Sequence, residues 1–247
     1  MKKDLSLFSG NFLKRCGEQL VSLLFPDHCI LCGKVMPYDE EIPLCAGCYN
    51  KHQVVGSFCP FCESKREKGG CCSSCFRKTE SLIDVFALAS YDKNWRYLVH
   101  QLKYKGKRSL GRSMGLLLGW ELKKHNVCSP DYIIPIPLYK EKERERGFNH
   151  SALLAKYAAG VLGKPVKPLL RKKKSNLTQT ALARSERFKN VKGVFSINAE
   201  KVAKGKVLLI DDVYSTGATM QEAALMLHDA GFTVYGAVIC YNPLTEN

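Results

Sequence analysis

The segment VLLIDDVYSTGAT, residues 207–219, sets two carboxylates, Asp211 and Asp212, directly after an apolar run and just before a hydroxyl-rich loop. A continuous apolar run of this kind predicts a strand covered on both faces by helices. In parallel sheets ligands collect at the carboxyl ends of strands, which is where the two aspartates fall. The loop leads into ATMQEAALMLHDAG (218–231), a predicted helix whose amino-terminus offers unpaired N–H groups and a positive dipole suited to phosphate. Gly217 lets the backbone approach a ligand closely, and Ser215, Thr216 and Thr219 add hydroxyl donors. Two adjacent carboxylates accept hydrogen bonds from neighbouring hydroxyls. A phosphate joined to a vicinal diol is the chemistry of a ribose 5-phosphate.

A second set of residues predicts metal chemistry. Four C-x2-C knuckles follow one another: Cys29 and Cys32, Cys45 and Cys48, Cys59 and Cys62, Cys72 and Cys75. A two-residue gap turns both thiolates onto one ion, and two knuckles complete a tetrahedron. The simple reading is two zinc sites, first knuckle with second and third with fourth. An interleaved pairing or a single occupied site satisfies the spacing too, and Cys71 is a spare for Cys72. Four sulfur ligands leave no open position, so the zinc is read as structural. The segment is short and poor in large apolar residues, and metal binding worth roughly 10–16 kcal/mol per site would supply its folding free energy. His28 and His52 read as bystanders.

The elements that position these groups follow from periodicity. Leu5, Phe8, Phe12, Cys16, Leu20 and Leu24 lie on one face of an amphipathic helix, expected over residues 1–25 and docked rather than membrane-bound. Residues 26–80 form the cysteine-rich module. Residues 81–247 alternate strands and helices: SLIDVFALASYD (81–92), a helix–loop–helix with Gly106 and Gly111 near its break, DYIIPIPL (131–138), HSALLAKYAAGVLG (150–163), KVLLID (206–211), the helix from 218, and TVYGAVIC (233–240). Such alternation means an α/β domain built on a parallel sheet. Of the chain's 38 Lys and Arg against 23 Asp and Glu, residues 81–247 carry 27 against 14, which favours phosphate-bearing partners. No secretory signal or membrane-spanning run is read, so the expected location is cytoplasmic, where thiols stay reduced.

VLLIDDVYSTGAT resembles the phosphoribosyl pyrophosphate (PRPP) signature of type I phosphoribosyltransferases. In that family two acidic residues hold the ribose 2- and 3-hydroxyls and the loop cradles the 5-phosphate. Carried over, Asp211 and Asp212 take the ribose and catalytic roles, and Tyr214, Ser215, Thr216, Gly217, Ala218 and Thr219 take the phosphate loop. PIPLYKEKERERGFNHS (135–151) and KSNLTQTALARSERFKNVKGVF (174–195) resemble two further blocks of the ComF (ComFC) family, in which a cysteine-rich zinc module precedes a phosphoribosyltransferase domain. The family's usual RGFNQ stands here as Arg146-Gly147-Phe148-Asn149-His150. The resemblance covers nearly everything after Pro26. It implies an α/β fold, a parallel-sheet type I phosphoribosyltransferase domain behind a small zinc module. It also implies a pyrophosphate loop at Leu138, Tyr139 and Lys140, with Arg144 and Arg146 beside it and a covering flap at Gln179, Arg184 and Arg187. Magnesium is implied by the charge of PRPP.

Two functions follow from the resemblance. One is a PRPP-binding module acting in natural competence and DNA uptake. Its basic surface, with Lys103, Tyr104, Lys105 and Phe148 as nucleic-acid candidates, would hold single-stranded DNA, and competence-machinery proteins would be partners. The other is an active phosphoribosyltransferase, a glycosyltransferase passing ribose phosphate to a nucleobase-like or amine acceptor.

Overall fold

The computed structural model describes residues 28–37, 43–66, 72, 74–75, 80–173, 193–198 and 202–243. The expected 1–25 helix, Cys71 and the flap residues Gln179, Arg184 and Arg187 lie outside them. The chain divides into two compact units, Met1–His52 and Gln53–Asn247. In the first unit, a turn from Cys29 to Gly33 is closed by a bridge between His28 and Val35, and helix α1 (Ala46–Lys51) begins immediately after Cys45. Among its described residues only Cys29, Met36 and Leu44 are buried and apolar.

The second unit is built on a six-stranded sheet. In chain order the strands are β1 (Gly56–Phe58), β2 (Lys65–Arg66), β3 (Val85–Ser90), β4 (Tyr132–Pro135), β7 (Lys206–Tyr214) and β8 (Thr233–Tyr241), arranged β2-β1-β3-β8-β7-β4. β3, β8, β7 and β4 run parallel, whereas β1 and β2 add antiparallel at one edge. Strands β5 (Leu170–Lys172) and β6 (Phe195–Ile197) form a separate antiparallel pair. Val207 and Leu209 of β7 pack with Met220, Ala223 and Leu227 of the last helix, α6 (Ala218–Asp229). Leu208 and Ile210, equally buried, alternate with them and point to the other face.

That other face is covered by α3 (Arg108–Lys124), against β3 and β8, and α5 (His150–Leu162), against β4 and β7. α3 and α5 approach closely because α3 presents Gly111, Gly115 and Gly119, one turn apart. A Cβ on Gly115 would lie 2.7 Å from the Leu154 carbonyl oxygen and 2.9 Å from Tyr157 Cβ. Gly111 is therefore a packing residue within the helix. The break between α2 (Lys93–Tyr104) and α3 falls at Lys105–Lys107 instead.

β7 corrects the expected strand end. The sequence reading stops the strand at Asp211, but β7 continues to Tyr214, because β8 still pairs with it as far as Tyr214↔Tyr241. Its other neighbour, β4, ends opposite Ile210. The two aspartates thus begin where β7 loses one neighbour, and the sheet opens there.

Candidate functional site

The carboxylate pair is held from one side by α5. The Asn149 side chain caps this helix, accepting from the N–H groups of Ser151 (3.0 Å) and Ala152 (3.3 Å), and its amide donates to the Ile136 carbonyl (3.1 Å) just past β4. Gly147, at φ 76°, turns the chain from α4 (Lys140–Arg146) into this cap. The cap fixes the first two residues of α5 against β7. Ser151 Oγ donates to Asp211 Oδ1 at 2.8 Å, and Asp211 Oδ1 also accepts the Asp212 N–H at 2.9 Å. His150 Nε2 stands 2.7 Å from Asp212 Oδ2, and Lys103 Nζ, from the last turn of α2, stands 2.9 Å from the same oxygen.

These partners divide the two carboxylates electrically. Burial opposes ionisation of both. At Asp212 the Lys103 ammonium and His150 outweigh burial and hold its carboxyl well below the usual range. At Asp211 burial, reinforced by the neighbouring Asp212 charge, pushes the carboxyl up. Burial works against the Lys103 ammonium too, and Asp212 overcomes it.

The pair lies in a cavity of about 390 Å³. Leu138 and Tyr139 line it, as do Ser215 and Thr219 from the loop between β7 and α6. Lys142 and Arg146 enter it from α4, four residues apart and so on one helical face. Lys140 and Arg144 are exposed and outside the lining. Arg146 is also 3.4 Å from His150 Nδ1, and its guanidinium lies 5.1 Å from the centre of the Tyr104 ring. Lys172 reaches the cavity from β5, where burial pushes its ammonium down.

The rest of the loop is backbone and support. Gly217, at φ 75°, starts α6, and the Thr216 hydroxyl accepts from the Ala218 N–H at 3.3 Å. Tyr214 turns away from the cavity: its ring is buried and its hydroxyl donates to the Pro60 carbonyl at 2.7 Å. Of the nucleic-acid candidates, Lys103 is committed to Asp212, Lys105 is exposed, Tyr104 is 59% exposed, and Phe148 stacks beneath Arg108 at 5.1 Å.

The cysteines assemble as first knuckle with second and third with fourth. Cys29, Cys32, Cys45 and Cys48 bring their Sγ atoms within 4.8 Å of one another, and so do Cys59, Cys62, Cys72 and Cys75. The Cys32–Cys45 and Cys62–Cys72 sulfurs are each 3.7 Å apart. A tetrahedron with zinc–sulfur bonds of about 2.3 Å has edges of about 3.8 Å, so the spacing fits zinc. The thiols are also poised for a cation. Hydrogen bonds from Ser64 hold Cys62 down to about 6, while burial and the neighbouring Cys62 thiol push Cys59 up to about 12. Adjacent thiolates cannot all ionise alone, and a dication removes that conflict. Neither His28 nor His52 joins a cluster.

His150, Ser151, Lys142 and Lys172 are site residues that the sequence reading did not assign. Helical spacing from Arg146 would have found Lys142. The others come together only through tertiary structure. No helix among the described residues is long and apolar enough to cross a membrane.

The chain is similar along most of its length to proteins named for competence and DNA utilization. It is 27% identical to competence protein F of Haemophilus influenzae, over 76% of this chain and 85% of that one. It is 27% identical to the DNA utilization protein YhgH of Salmonella typhimurium, over 88% and 98%. It is 26% identical to competence protein ComFC of Bacillus subtilis, over 78% and 80%. The ComF resemblance read from the sequence is therefore upheld. No family model matches the chain. Similar solved structures include the glutamine PRPP amidotransferase of B. subtilis, 20% identical with a TM-score of 0.39 over 56% of this chain and 30% of that one. Another is the orotate phosphoribosyltransferase of Aeropyrum pernix, 17% identical with a TM-score of 0.35 over 57% and 75%.

Proposed function

We propose that the cavity at the end of β7 binds PRPP and that the protein acts as a PRPP-binding module in competence-related handling of single-stranded DNA. The observation that carries the ligand reading is that Asp211 and Asp212 line one cavity with Ser215 and Thr219 of the loop and with Lys142, Arg146 and Lys172. Carboxylates suit the ribose hydroxyls, the loop and the α6 amino-terminus suit the 5-phosphate, and the cations suit the pyrophosphate. Support for the DNA role is the names of the relatives, together with the basic balance of residues 81–247 and exposed Tyr104 beside Arg146. A cytoplasmic location fits the tetracysteine sites, which need reduced thiols.

Magnesium enters this reading with the ligand. The acidic pair and His150 form a cluster of candidate ligands, but the Lys103 ammonium 2.9 Å from Asp212 would repel a resident dication. These residues do not make a magnesium site of their own.

The alternative is active transfer: an acceptor nitrogen bonds to the ribose anomeric carbon as its bond to pyrophosphate breaks. It rests on the same acidic pair, and pyrophosphate release in the presence of candidate acceptors would distinguish it from binding alone. The test of the ligand reading is calorimetric titration with magnesium-PRPP. The wild-type chain should bind, and Asp211→Asn should lose most of the affinity, because Asn keeps an acceptor for Ser151 but brings no charge. Unchanged affinity in that variant removes Asp211 from the ribose. No binding by the wild type refutes the reading.

A further inference from the structure

The turn between β1 and β2 carries Cys59 and Cys62, and its middle reaches the loop after β7. The Pro60 carbonyl accepts two hydrogen bonds, from Tyr214 Oη at 2.7 Å and from Gln221 Nε2 at 2.7 Å. Tyr214 is the last residue of β7, and Gln221 lies in the first turn of α6, where its N–H bonds the Gly217 carbonyl at 2.8 Å. One carbonyl oxygen of the cysteine knuckle therefore ties down both ends of the loop. The Tyr214 hydroxyl also lies directly under Gly217: a Cβ there would come 2.2 Å from it.

The flanks of the knuckle grip the same end of the sheet. Phe58, just before Cys59, meets the Tyr214 ring edge-on at 5.2 Å and the Tyr241 ring at 4.6 Å. Glu63, just after Cys62, accepts from the Tyr241 hydroxyl at 2.5 Å at the end of β8. Pro60 lies between Cys59 and Cys62, and a bound metal would fix both of their sulfurs to those of Cys72 and Cys75.

We propose that the second tetracysteine cluster, when it holds zinc, is a strut for the phosphate loop. Tyr214 and Gln221 are its positioning residues, and occupancy of the cluster sets the affinity for the 5-phosphate end of a phosphorylated sugar. The proposal rests on the PRPP reading above and adds to it a metal dependence. Preorganised N–H donors bind an anion well only when nothing further must be ordered, and the two bonds to Pro60 supply that order. Loss of zinc, by chelation or by thiol oxidation, would release the loop without touching a ligand-contacting residue.

The test uses the full chain and the variant Tyr214→Phe combined with Gln221→Met, which leaves all eight cluster cysteines in place. Amide hydrogen exchange of residues 215–219 is followed with and without zinc, and calorimetry compares PRPP, ribose 5-phosphate and magnesium pyrophosphate. The expected result is faster loop exchange and a roughly tenfold loss for both 5-phosphate ligands, the effect of one or two buried hydrogen bonds. Pyrophosphate binding should be unchanged, an asymmetry that general destabilisation would not produce. Cys62→Ser should behave alike and lose one equivalent of zinc, whereas Cys32→Ser, in the first cluster, should lose zinc but keep ligand affinity. Should Cys62→Ser fail to fold, the Tyr214/Gln221 variant decides alone. If wild type binds neither sugar phosphate, the PRPP reading falls, and loop exchange still judges the strut. Unchanged exchange and unchanged 5-phosphate affinity in the double variant overturn it.

Discussion

Replacing Lys103 by Met tests whether the acidic pair is stabilised as described. Asp212 is 5% exposed at its side chain, His150 is 4% exposed, and Lys103 is 22% exposed. At 2.9 Å and an effective dielectric constant near 20, the Lys103–Asp212 attraction is on the order of 6 kcal/mol before desolvation. Removing one partner of a buried pair costs roughly 3–5 kcal/mol, because the other charge stays behind. His150 remains as a second partner and Lys103 keeps some contact with water, so the expected loss is about 2–3 kcal/mol. Urea unfolding near neutral pH measures it. Asp212→Asn with Lys103→Met should destabilise by at least ~1 kcal/mol less than the sum of the single changes, since the two groups form one interaction. The pH dependence has a definite sign. The Asp212 carboxyl is held well below its unfolded value, so its contribution is complete above about pH 4 and is lost as pH falls further. The deficit of Lys103→Met should therefore shrink in acid. A cost under about 0.5 kcal/mol, or additive single changes, would refute the ion-paired arrangement and return Lys103 to the pool of free basic residues.

Asp84 predicts the opposite pH trend. It is 1% exposed, and burial pushes its carboxyl up to about 6 from 3.8. The folded chain then holds a proton that the unfolded chain has released, so stability falls as pH rises from about 4 through 6, by roughly 3 kcal/mol in all. Asp84→Asn should remove that fall, and denaturant midpoints for both proteins at pH 5 and pH 8 would show it; parallel pH profiles would count against a buried ionising Asp84. Gly115→Ala tests the helix contact by sign alone. On an exposed helix the change stabilises by about 1 kcal/mol. Here the new methyl meets the Leu154 carbonyl oxygen at 2.7 Å, and thermal unfolding should show a loss of about 1–3 kcal/mol.

What was legible in the sequence was local. Asp211, Asp212 and the loop to Thr219 are contiguous, and each C-x2-C knuckle is complete within four residues, so spacing pointed to both candidate sites while leaving the pairing of the knuckles open. Most strands and helices from 85 onward announced themselves through apolar runs, and α5 through the Gly163 that closes it. What stayed hidden depends on distance along the chain. Tyr214 reads as part of a ligand loop until the Pro60 carbonyl, 154 positions earlier, is found against its hydroxyl. Lys172 sits in the charged run Arg171–Lys174, and nothing local to that run shows that β5 pairs with β6 and that Lys172 lines the cavity. Gly111 reads as lying near a helix break until Leu153 is found against it.

Two adjacent carboxylates in a buried strand are tolerable because each has its own partners. Lys103 and His150 take Asp212, while Ser151 and the Asp212 N–H take Asp211. The pair therefore presents one firmly ionised carboxylate and one whose charge is costly. A ligand hydroxyl that hydrogen-bonds to Asp211 would relieve that cost by favouring the ionised form. Around the pair the cavity is lined by four cationic side chains, Lys103, Lys142, Arg146 and Lys172, against the two carboxylates. The remaining excess is positive even after Asp212 and Lys103 cancel. Burial also works against the Lys172 ammonium, which a nearby anion would stabilise. Such a site disfavours a neutral sugar and a bare cation alike. The proposed ligand, a polyol that brings several negative charges of its own, would match that balance with its hydroxyls at Asp211 and its charges at α4 and β5.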